Sequence, residues 1–165
     1  MARTDYHKVV VGRAELLHFV AYEMPDIPAK VDTGAYRSAV HADRVQLSDD
    51  GKTLRFRLLG GHPVCGSLAQ VLTTDRFQKV RIDNSFGQRE ERYEVKLKVK
   101  LGPKIFWANF SLANRAKKIY PILLGRKLLN NRFLVDTAQS QLNRVKLKQQ
   151  YGIAFPLDEE EGREA

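Results

Sequence analysis

One aspartate in the stretch AKVDTGAYRSAVHA, residues 29–42, has the setting of a reactive carboxylate. Asp32 ends an apolar run and is followed at once by Thr33 and Gly34, and glycine releases the backbone for a tight turn. A related stretch, VDTA, recurs at residues 135–138. An aspartate at a strand end before such a turn is held with its carboxylate in a defined direction. The pattern therefore predicts that the Asp32 carboxylate is positioned to take part in a reaction.

The chemistry that suits such an aspartate is a carboxylate dyad. Two aspartates about 3 Å apart cannot both ionise, so one activates water while the other protonates the scissile carbonyl oxygen. Too few residues follow Asp136 to build a second lobe around it. A homodimer, in which Asp32 faces its own copy across a two-fold axis, meets the requirement more simply.

Two other chemistries remain open at this point, zinc binding and a cysteine nucleophile. A zinc site needs three or four ligands at workable spacings, and no HExxH motif is present. A reactive cysteine needs a nearby base, which sequence cannot locate. Serine nucleophile elbows and phosphate-binding glycine loops do not occur. The candidate zinc or thiol residues are His7, His18, His41, His62 and Cys65.

The elements that must position Asp32 read as short strands separated by proline and glycine. Asp50 and Gly51 predict a tight hairpin turn. The stretch RYEVKLKVKLG alternates strictly, which predicts a strand with Tyr93 on its apolar face and Glu94 on its solvated face. Residues 60–92 are rich in turn formers and are expected to form loops or a mobile hairpin. RKLLNNRF, after an apolar run, predicts one short helix. These signals favour an all-β barrel.

Bulk composition limits the partners and the compartment. The chain has 28 Lys and Arg against 19 Asp and Glu, a net charge of +9, which favours anionic partners such as nucleic acid, a ribosome surface or an acidic peptide. Cys65 is the only cysteine, and no stretch has the length of a membrane span or the apolar run of a secretory signal. We expect a cytoplasmic protein without a membrane partner, with one domain at 1–157 and an acidic, disordered tail at 158–165.

The sequence VDTGAYRSAVHA, followed far downstream by YPILLGRKLLNNRFLVD, resembles the retropepsin-type aspartic proteases. Together with VRIDNSFGQREERYEV and SLANRAKKIYPILLGRKLL, it is similar to the RimB-like family that is also named ATP-dependent zinc protease. Members of that family often accompany RimK-type ATP-grasp glutamate ligases. The resemblance implies a closed acid-protease barrel with one short C-terminal helix, active as a homodimer.

The same resemblance implies roles for individual residues. Asp32 would be the catalytic carboxylate, Thr33 would lock the two active-site loops across the dimer, and Gly34 would form the turn. Gly125 would pass close beneath that loop, and Arg126 would open the helix and make an ion pair or hydrogen bonds.

Three residues after the turn are expected to contact substrate, namely Ala35, Tyr36 and Arg37. The family commonly has Arg-Thr where this chain has Tyr36 and Arg37, so these contacts are where it departs from its relatives. Arg37 could bind a substrate carboxylate through its fork of donors, or could be a solvated surface arginine. We expect no metal and no cofactor, because the chain shows no ligand set or P-loop to match the family's zinc and ATP labels.

The expected function is therefore metal- and ATP-independent aspartic endopeptidase or peptidase activity on acidic or poly-glutamate protein tails, such as that of a ribosomal protein. Expected partners are a second copy of the chain, the glutamylated substrate and a RimK-type glutamate ligase. The alternative is a non-catalytic module of the same fold that binds ribosome, RNA or a ligase through its basic surface.

Overall fold

A computed structural model of the protein describes residues 7–83, 86–142 and 145. A single turn of 3-10 helix at Gly66–Leu68 interrupts the longest connection. The strands are β1 Val9–Val11, β2 Ala14–Phe19, β3 Ile27–Val31, β4 Ser38–Leu47, β5 Leu54–Leu58, β6 Gln70–Thr74, β7 Phe77–Asp83, β8 Arg89–Leu101, β9 Lys104–Ala113, β10 Ile122–Leu124 and β11 Phe133–Val135, and the helix is α1 Arg126–Leu129.

Six strands close into a barrel, in the order β10, β3, β2, β8, β9, β4 and back to β10. The β10–β3 and β4–β9 pairs are parallel, and the other pairs in the ring are antiparallel. Three additions lie outside the ring: β5 and β6 extend from β4, β7 pairs with β8, and β1 pairs with β11 in a separate two-stranded sheet. The predicted all-β closed barrel with one short helix is confirmed.

Alternating apolar residues build the barrel core. Along β8 the side chains of Val95, Leu97, Val99 and Leu101 are buried, as the period-2 pattern predicts. Phe19 and Phe110 meet inside edge to face, with ring centroids 6.3 Å apart. The hairpin predicted around Asp50 and Gly51 joins β4 to β5, and Gly51 has the positive φ that this tight turn requires.

The expectation of loops or a mobile hairpin over residues 60–92 holds only in part, because β7 and β8 do form a hairpin there, whereas the strand β6 was not expected. β6 adds to β5 over five residue pairs, and β7 forms a seven-pair antiparallel hairpin with the start of β8. The turn residues mark the ends of these strands and not an absence of strands. Their pairing partners are supplied by the sheet, so the local sequence carries only a weak strand signal.

A few expectations fall at the edges of the described chain. The acidic tail at 158–165 lies outside the described residues, and the boundary of the single domain at 1–157 stays a prediction. Among the described residues, the one short helix falls far below the length and apolarity that a bilayer crossing requires.

Candidate active site

Asp32 lies at the end of β3, where the chain leaves the barrel in a tight turn. Its backbone N–H donates to the Leu124 carbonyl of β10 at 2.9 Å, which fixes the start of the turn. Its Oδ1 accepts the backbone N–H of Gly34 at 2.9 Å, which fixes the direction of the side chain. Asp32 is partly exposed, and both Thr33 and Gly34 are exposed. The carboxylate is therefore oriented by the backbone and still open to solvent.

Gly125 lies directly beneath this turn. A Cβ on Gly125 would come within 2.5 Å of the Arg37 carbonyl oxygen and 2.9 Å of that of Tyr36, so only glycine allows the two backbone segments to approach so closely. Its N–H donates to the buried Ser38 hydroxyl at 3.0 Å. The segment that follows β10 thus supports the Asp32 turn by backbone contact.

Arg126 begins α1 and holds the turn from the other side. Its Nη1 donates to the Thr33 carbonyl at 2.9 Å, and its backbone N–H donates to the Ala35 carbonyl at 2.8 Å. The neighbouring N–H of Lys127 donates to the Tyr36 carbonyl at 3.0 Å. Three carbonyls of the turn are therefore held by α1, which restricts where the Asp32 loop can move.

The residues expected to contact substrate follow the turn. Ala35 is partly buried, whereas Tyr36 is 52% exposed and lies near two guanidinium groups. The guanidinium carbons of Arg37 and Arg126 each lie 5.9 Å from the Tyr36 ring centroid, within reach of a cation–π attraction. Tyr36 is an exposed aromatic surface at the edge of the Asp32 loop.

Arg37 is engaged in a semi-buried network instead of extending freely into solvent. Its Nη1 donates to Glu94 Oε2 at 2.7 Å, and Gln78 Nε2 donates to Glu94 Oε1 at 2.8 Å. The Glu94 side chain is 1% exposed, so its placement on a solvated face of β8 is wrong. A buried carboxylate needs such partners, and they connect the base of the β7–β8 hairpin to the Asp32 loop.

Two histidines that were candidate zinc ligands form a buried pair. The rings of His41 and His62 pack edge to face with centroids 5.1 Å apart. His41 Nε2 donates to the Gly60 carbonyl at 2.7 Å, while its Nδ1 accepts the Arg115 N–H at 2.8 Å. His62 Nδ1 likewise accepts the Val64 N–H at 3.1 Å, and its Nε2 faces the Lys118 carbonyl. Every ring nitrogen of the pair therefore has a partner in the neutral form.

Burial of this pair also sets its protonation. It lowers the pKa of His41 and, together with the nearby His41 ring, lowers the pKa of His62 to about 4. His62 Nε2 lies 2.9 Å from the Lys118 carbonyl, which it contacts as a donor. With each nitrogen used by the protein, these rings hold backbone segments together and have no lone pair left for a metal.

Cys65 is buried near this pair and has no thiolate character. Burial raises the pKa of its thiol to about 12, which opposes nucleophilic attack at neutral pH. Among the residues that the structure describes, no three His, Cys, Asp or Glu side chains come together as a metal site would require. The described residues therefore offer the Asp32 turn as the best candidate for chemistry.

The echo of the motif at Asp136 has a different place in the fold. It follows β11 in the two-stranded sheet, outside the barrel ring. Its Oδ1 accepts the Ala138 N–H at 2.9 Å, much as Asp32 accepts that of Gly34. The other oxygen, Asp136 Oδ2, accepts the side-chain amide of Gln139 at 2.9 Å. The Asp136 carboxylate is thus used locally.

Three residues of this region had no signal in the sequence. Ser38 accepts from Gly125 across 87 positions, and Glu94 and Gln78 join the network of Arg37 from a separate hairpin. Glu94 has the parity of the lysines on β8, so alternation alone places it in solvent. Only the cross-strand pairing of Gln78 with Glu94 could have indicated a shared environment.

Comparison with a family model relates this architecture to known proteins. Residues 10–146 match the RimB-like model, described as "Retropepsin-like aspartic endopeptidase RimB". A crystal structure from Legionella pneumophila, of a DUF785 protein described as having unknown function, superposes with a TM-score of 0.64 at 27% identity. That match covers 80% of this chain and 95% of the other.

Curated relatives carry another name. A protein of Shewanella halifaxensis, "Probable alpha-L-glutamate ligase", is 32% identical over 155 residues, which cover 89% of this chain and 33% of the relative. One with the same name from Desulfotalea psychrophila is 31% identical over 160 residues, covering 94% and 34%. The chain thus spans about a third of the length of these relatives.

Proposed function

The chain belongs to the RimB-like family of retropepsin-like aspartic endopeptidases, and from that premise we propose that it hydrolyses peptide bonds with Asp32 and the Asp32 of a second copy. The observation that carries the proposal is the open, backbone-held carboxylate at the end of β3. A side chain whose direction is fixed by Gly34 and whose loop is held by Arg126 is preorganised before substrate arrives.

The proposed reaction needs one proton shared between the two carboxylates. The ionised Asp32 takes a proton from water, which attacks the carbonyl carbon, while the protonated Asp32 of the second copy gives its proton to the carbonyl oxygen. The Asp32 that took the water proton then gives it to the amide nitrogen, the C–N bond breaks, and a hydroxyl of the collapsing diol returns its proton to the other carboxylate. The dyad is back in its starting state, and no metal or nucleotide takes part.

Support for a dimer comes from what one barrel lacks. The described residues place one Asp-Thr-Gly turn on the surface, and Thr33 and Gly34 are exposed in the single chain. A dyad requires another carboxylate about 3 Å away. In the proposed dimer the Thr33 hydroxyl meets the partner's loop, which would cover these exposed residues.

We assign the hairpin of β7 and β8 as the flap that covers the proposed cleft. Of the described strands, only β8 pairs with β7, so the hairpin extends away from the barrel. Phe86 at its tip is 86% exposed, which suits a residue that would close over a bound peptide. Its base is tied to the Asp32 loop through Glu94 and Arg37.

The proposed substrate is a protein with an acidic or poly-glutamate tail. The net charge of +9 favours an anionic substrate, and relatives of this chain are named as ligases of glutamate. A RimK-type glutamate ligase is therefore a proposed partner, as the source of the tail or as a bound neighbour. Ala35, Tyr36 and Arg37 would lie along the cleft edge, with Arg37 positioned by Glu94.

The decisive experiment follows two peptides by mass spectrometry across pH 4 to 8, one ending in several glutamates and one with glutamine in their place. Wild type and Asp32→Asn are compared side by side. We expect loss of glutamates with wild type only, because asparagine keeps the shape of the turn but cannot share a proton. Equal cleavage by both proteins would rule out Asp32 as the catalytic carboxylate.

Oligomeric state provides an independent check of the mechanism. Light scattering at the enzyme concentration used in the assay should report a dimer, and activity should fall more steeply than enzyme concentration on dilution below the dimer dissociation constant. A fully active monomer would contradict a dyad built from one Asp32 per chain.

The second candidate is a non-catalytic binding module, and a specific observation favours it. The outer face of β8 carries Lys96, Lys98 and Lys100 in a row, all exposed. A module of this kind would keep its affinity for ligase, ribosome or RNA when Asp32 is replaced by asparagine. Retained binding without hydrolysis by wild type would favour this candidate over the peptidase.

A further inference from the structure

A groove of about 530 Å³ crosses the outer surface of the protein between β6 and the β8–β9 hairpin. Lys96 and Lys98 of β8 and Trp107 of β9 form one wall, and Thr73 and Thr74 of β6 form another. Trp107 pairs directly with Lys98 across the two strands and is 47% exposed. The groove is therefore basic, with an aromatic surface in its wall.

Within the part of the chain that the structure describes, the cations of this groove have no acidic partner of their own. Among residues 7–83, 86–142 and 145, no carboxylate lies within ion-pair distance of Arg76, Lys96 or Lys98. The Arg76 guanidinium instead lies over the Trp107 ring, 5.5 Å from its centroid. Asp75 is the one carboxylate among the described lining residues, which therefore carry an excess of positive charge.

The shape of the groove fits an extended chain. β6 pairs with β5 along one edge, and no described strand covers its other edge, so its main-chain groups can accept an added strand. Lys96 and Lys98 are two residues apart on one strand, roughly 6.7 Å along its axis. Alternate carboxylates of an extended glutamate segment repeat at the same distance, because side chains two residues apart share a face.

A second, smaller hollow leads from the groove toward the proposed cleft. It has a volume of about 210 Å³, shares Arg76 and Lys96 with the groove, and is also lined by Glu94. Glu94 binds Arg37, which follows Asp32 by five residues. A bound segment could therefore continue from the groove toward the edge of the Asp32 loop.

A hollow of similar size on another part of the barrel has the opposite character. It measures about 540 Å³ and is lined by Glu15 and Asp26 together with Lys100. His18 also lines it, with Nδ1 3.2 Å from Asp26 Oδ1, and the two carboxylates outnumber the one lysine, so an acidic chain is not favoured there. Lys100 lies on the same strand and face as Lys98, so the two lysines form a matched pair that differs in the hollow each one lines.

From these observations we infer that the groove of Arg76, Lys96, Lys98 and Trp107 binds an extended acidic peptide segment of the substrate, outside the proposed cleft. The inference rests on the proposed function in one respect, namely that this segment belongs to the chain that is cut. The lysines supply charge, the free edge of β6 supplies main-chain hydrogen bonds, and Trp107 supplies apolar contact to the glutamate methylenes. Main-chain pairing with an edge strand favours a peptide over a nucleic acid.

The test measures binding to the full chain carrying Asp32→Asn, so that no peptide is consumed. A fluorescent peptide with several consecutive glutamates, and its glutamine counterpart, are titrated by anisotropy. We expect Lys98→Ala to weaken binding of the glutamate peptide about threefold. The double variant Lys96→Ala/Lys98→Ala should weaken it about tenfold, while Lys100→Ala should change the affinity by less than about twofold. Trp107→Ala should weaken it more than Ile105→Ala, its exposed neighbour on the same face of β9.

Several outcomes would overturn the inference. The glutamine peptide could bind as tightly as the glutamate peptide, or Lys98→Ala and Lys100→Ala could have equal effects. A single-stranded oligonucleotide could bind with the same sensitivity to Trp107→Ala while the glutamate peptide does not bind, which would make this an RNA surface. Altered light scattering of the lysine variants with unchanged peptide affinity would make it a contact between copies.

The inference and the proposed function can fail separately. With Asp32 restored, the Lys96→Ala/Lys98→Ala variant should show a raised KM for an acidic peptide, with kcat unchanged and a neutral peptide cut as before. If wild type cuts nothing while the groove variants still lose peptide binding, the peptidase proposal fails and the groove stands. If Asp32-dependent cleavage is unaffected by the groove variants, the groove inference fails and the peptidase stands.

Discussion

The Asp32 turn and the His41–His62 pair both gather side chains that can do chemistry, but the protein uses them in opposite ways. The carboxylate of Asp32 is held by one backbone N–H and remains partly exposed, with its loop supported from below by Gly125. The two histidines are 3% and 2% exposed, and their nitrogens are occupied by backbone groups.

This difference separates a site from a structural cluster more clearly than residue type does. Histidine beside cysteine is a familiar pattern of metal and thiol sites, yet here burial keeps His62 neutral and the Cys65 thiol protonated. A reactive group needs a fixed direction and free capacity to bind something else. Asp32 has both in the described structure, whereas the buried pair has only the first.

The largest expected effects come from replacing one residue in each of the two regions, Asp32 in the turn and His62 in the buried pair. Asp32→Asn should lower kcat at least about a thousandfold, because it removes the proton-sharing group, and should leave the melting temperature nearly unchanged. His62→Ala should do the reverse, lowering the free energy of unfolding by several kcal/mol while folded enzyme keeps its kcat. Peptide hydrolysis and thermal melts of both variants test the contrast. A large loss of kcat in folded His62→Ala would assign this pair to the reaction.

Gly125→Ala tests whether the Asp32 turn depends on backbone contact from below. The new Cβ would lie 2.5 Å from the Arg37 carbonyl oxygen, so the loop must shift, and we expect a loss of about 3 kcal/mol in stability together with reduced kcat. Urea unfolding and kcat are measured together. Gly66→Ala is the control, since its Cβ would find its nearest neighbours at ordinary contact distance, 3.4 Å. Equal effects of both variants would mean that Gly125 has no special role.

Lowering the pH should lower the free energy of unfolding, because His62 is neutral in the folded protein. Its pKa is about 4 in the folded protein against an ordinary 6.5, so between these pH values the unfolded chain binds a proton that the folded chain does not. Its contribution to stability is complete above pH 6.5 and falls by about 3 kcal/mol as pH drops to 4. Urea unfolding at several pH values should show this slope, reduced in His62→Gln. An equal slope in wild type and His62→Gln would contradict this assignment.

Glu94→Gln should have a smaller effect, centred on the Asp32 loop. The change removes the charge opposite Arg37 while keeping the shape, and we expect a loss of about 2 kcal/mol in stability, because a buried ion pair loses one member. A raised KM should accompany it as Arg37 moves. Glu91→Gln on the same strand is the control, since that carboxylate is 62% exposed and 3.9 Å from Arg81. Both variants are compared by thermal melting and by steady-state kinetics. Equal effects of the two would show that the contact of Glu94 with Arg37 does not position the Asp32 loop.

The smallest effect is expected at Cys65. With its pKa raised to about 12 by burial, the thiol of native protein should react with iodoacetamide far more slowly than that of urea-unfolded protein. Cys65→Ala should leave kcat within about twofold of wild type, because the proposed chemistry does not use a thiol. Mass spectrometry of the alkylated protein and peptide kinetics check the two statements. Rapid labelling of the folded protein, or loss of kcat, would reopen the thiol mechanism.

The sequence by itself determined the all-β architecture and singled out Asp32. Alternation along β8 and β9, and the turn signal at Gly51, are local properties, because side-chain direction in a strand repeats every two residues. The linked motifs around Asp32 and Gly125 also predicted the retropepsin-like barrel. The roles of these residues in catalysis stay predictions.

Only the tertiary structure decided which polar residues are structural and which remain open. β6 and β7 formed as strands because β5 and β8 offered edges to pair with, and Glu94 became buried because Arg37 and Gln78 approached it from distant parts of the chain. The neutral state of His62 depends in the same way on burial and on the nearby His41 ring, which only the closed fold provides. Burial and hydrogen-bond partners depend on chain closure, and a single sequence records the residue types but not which of them closure brings together.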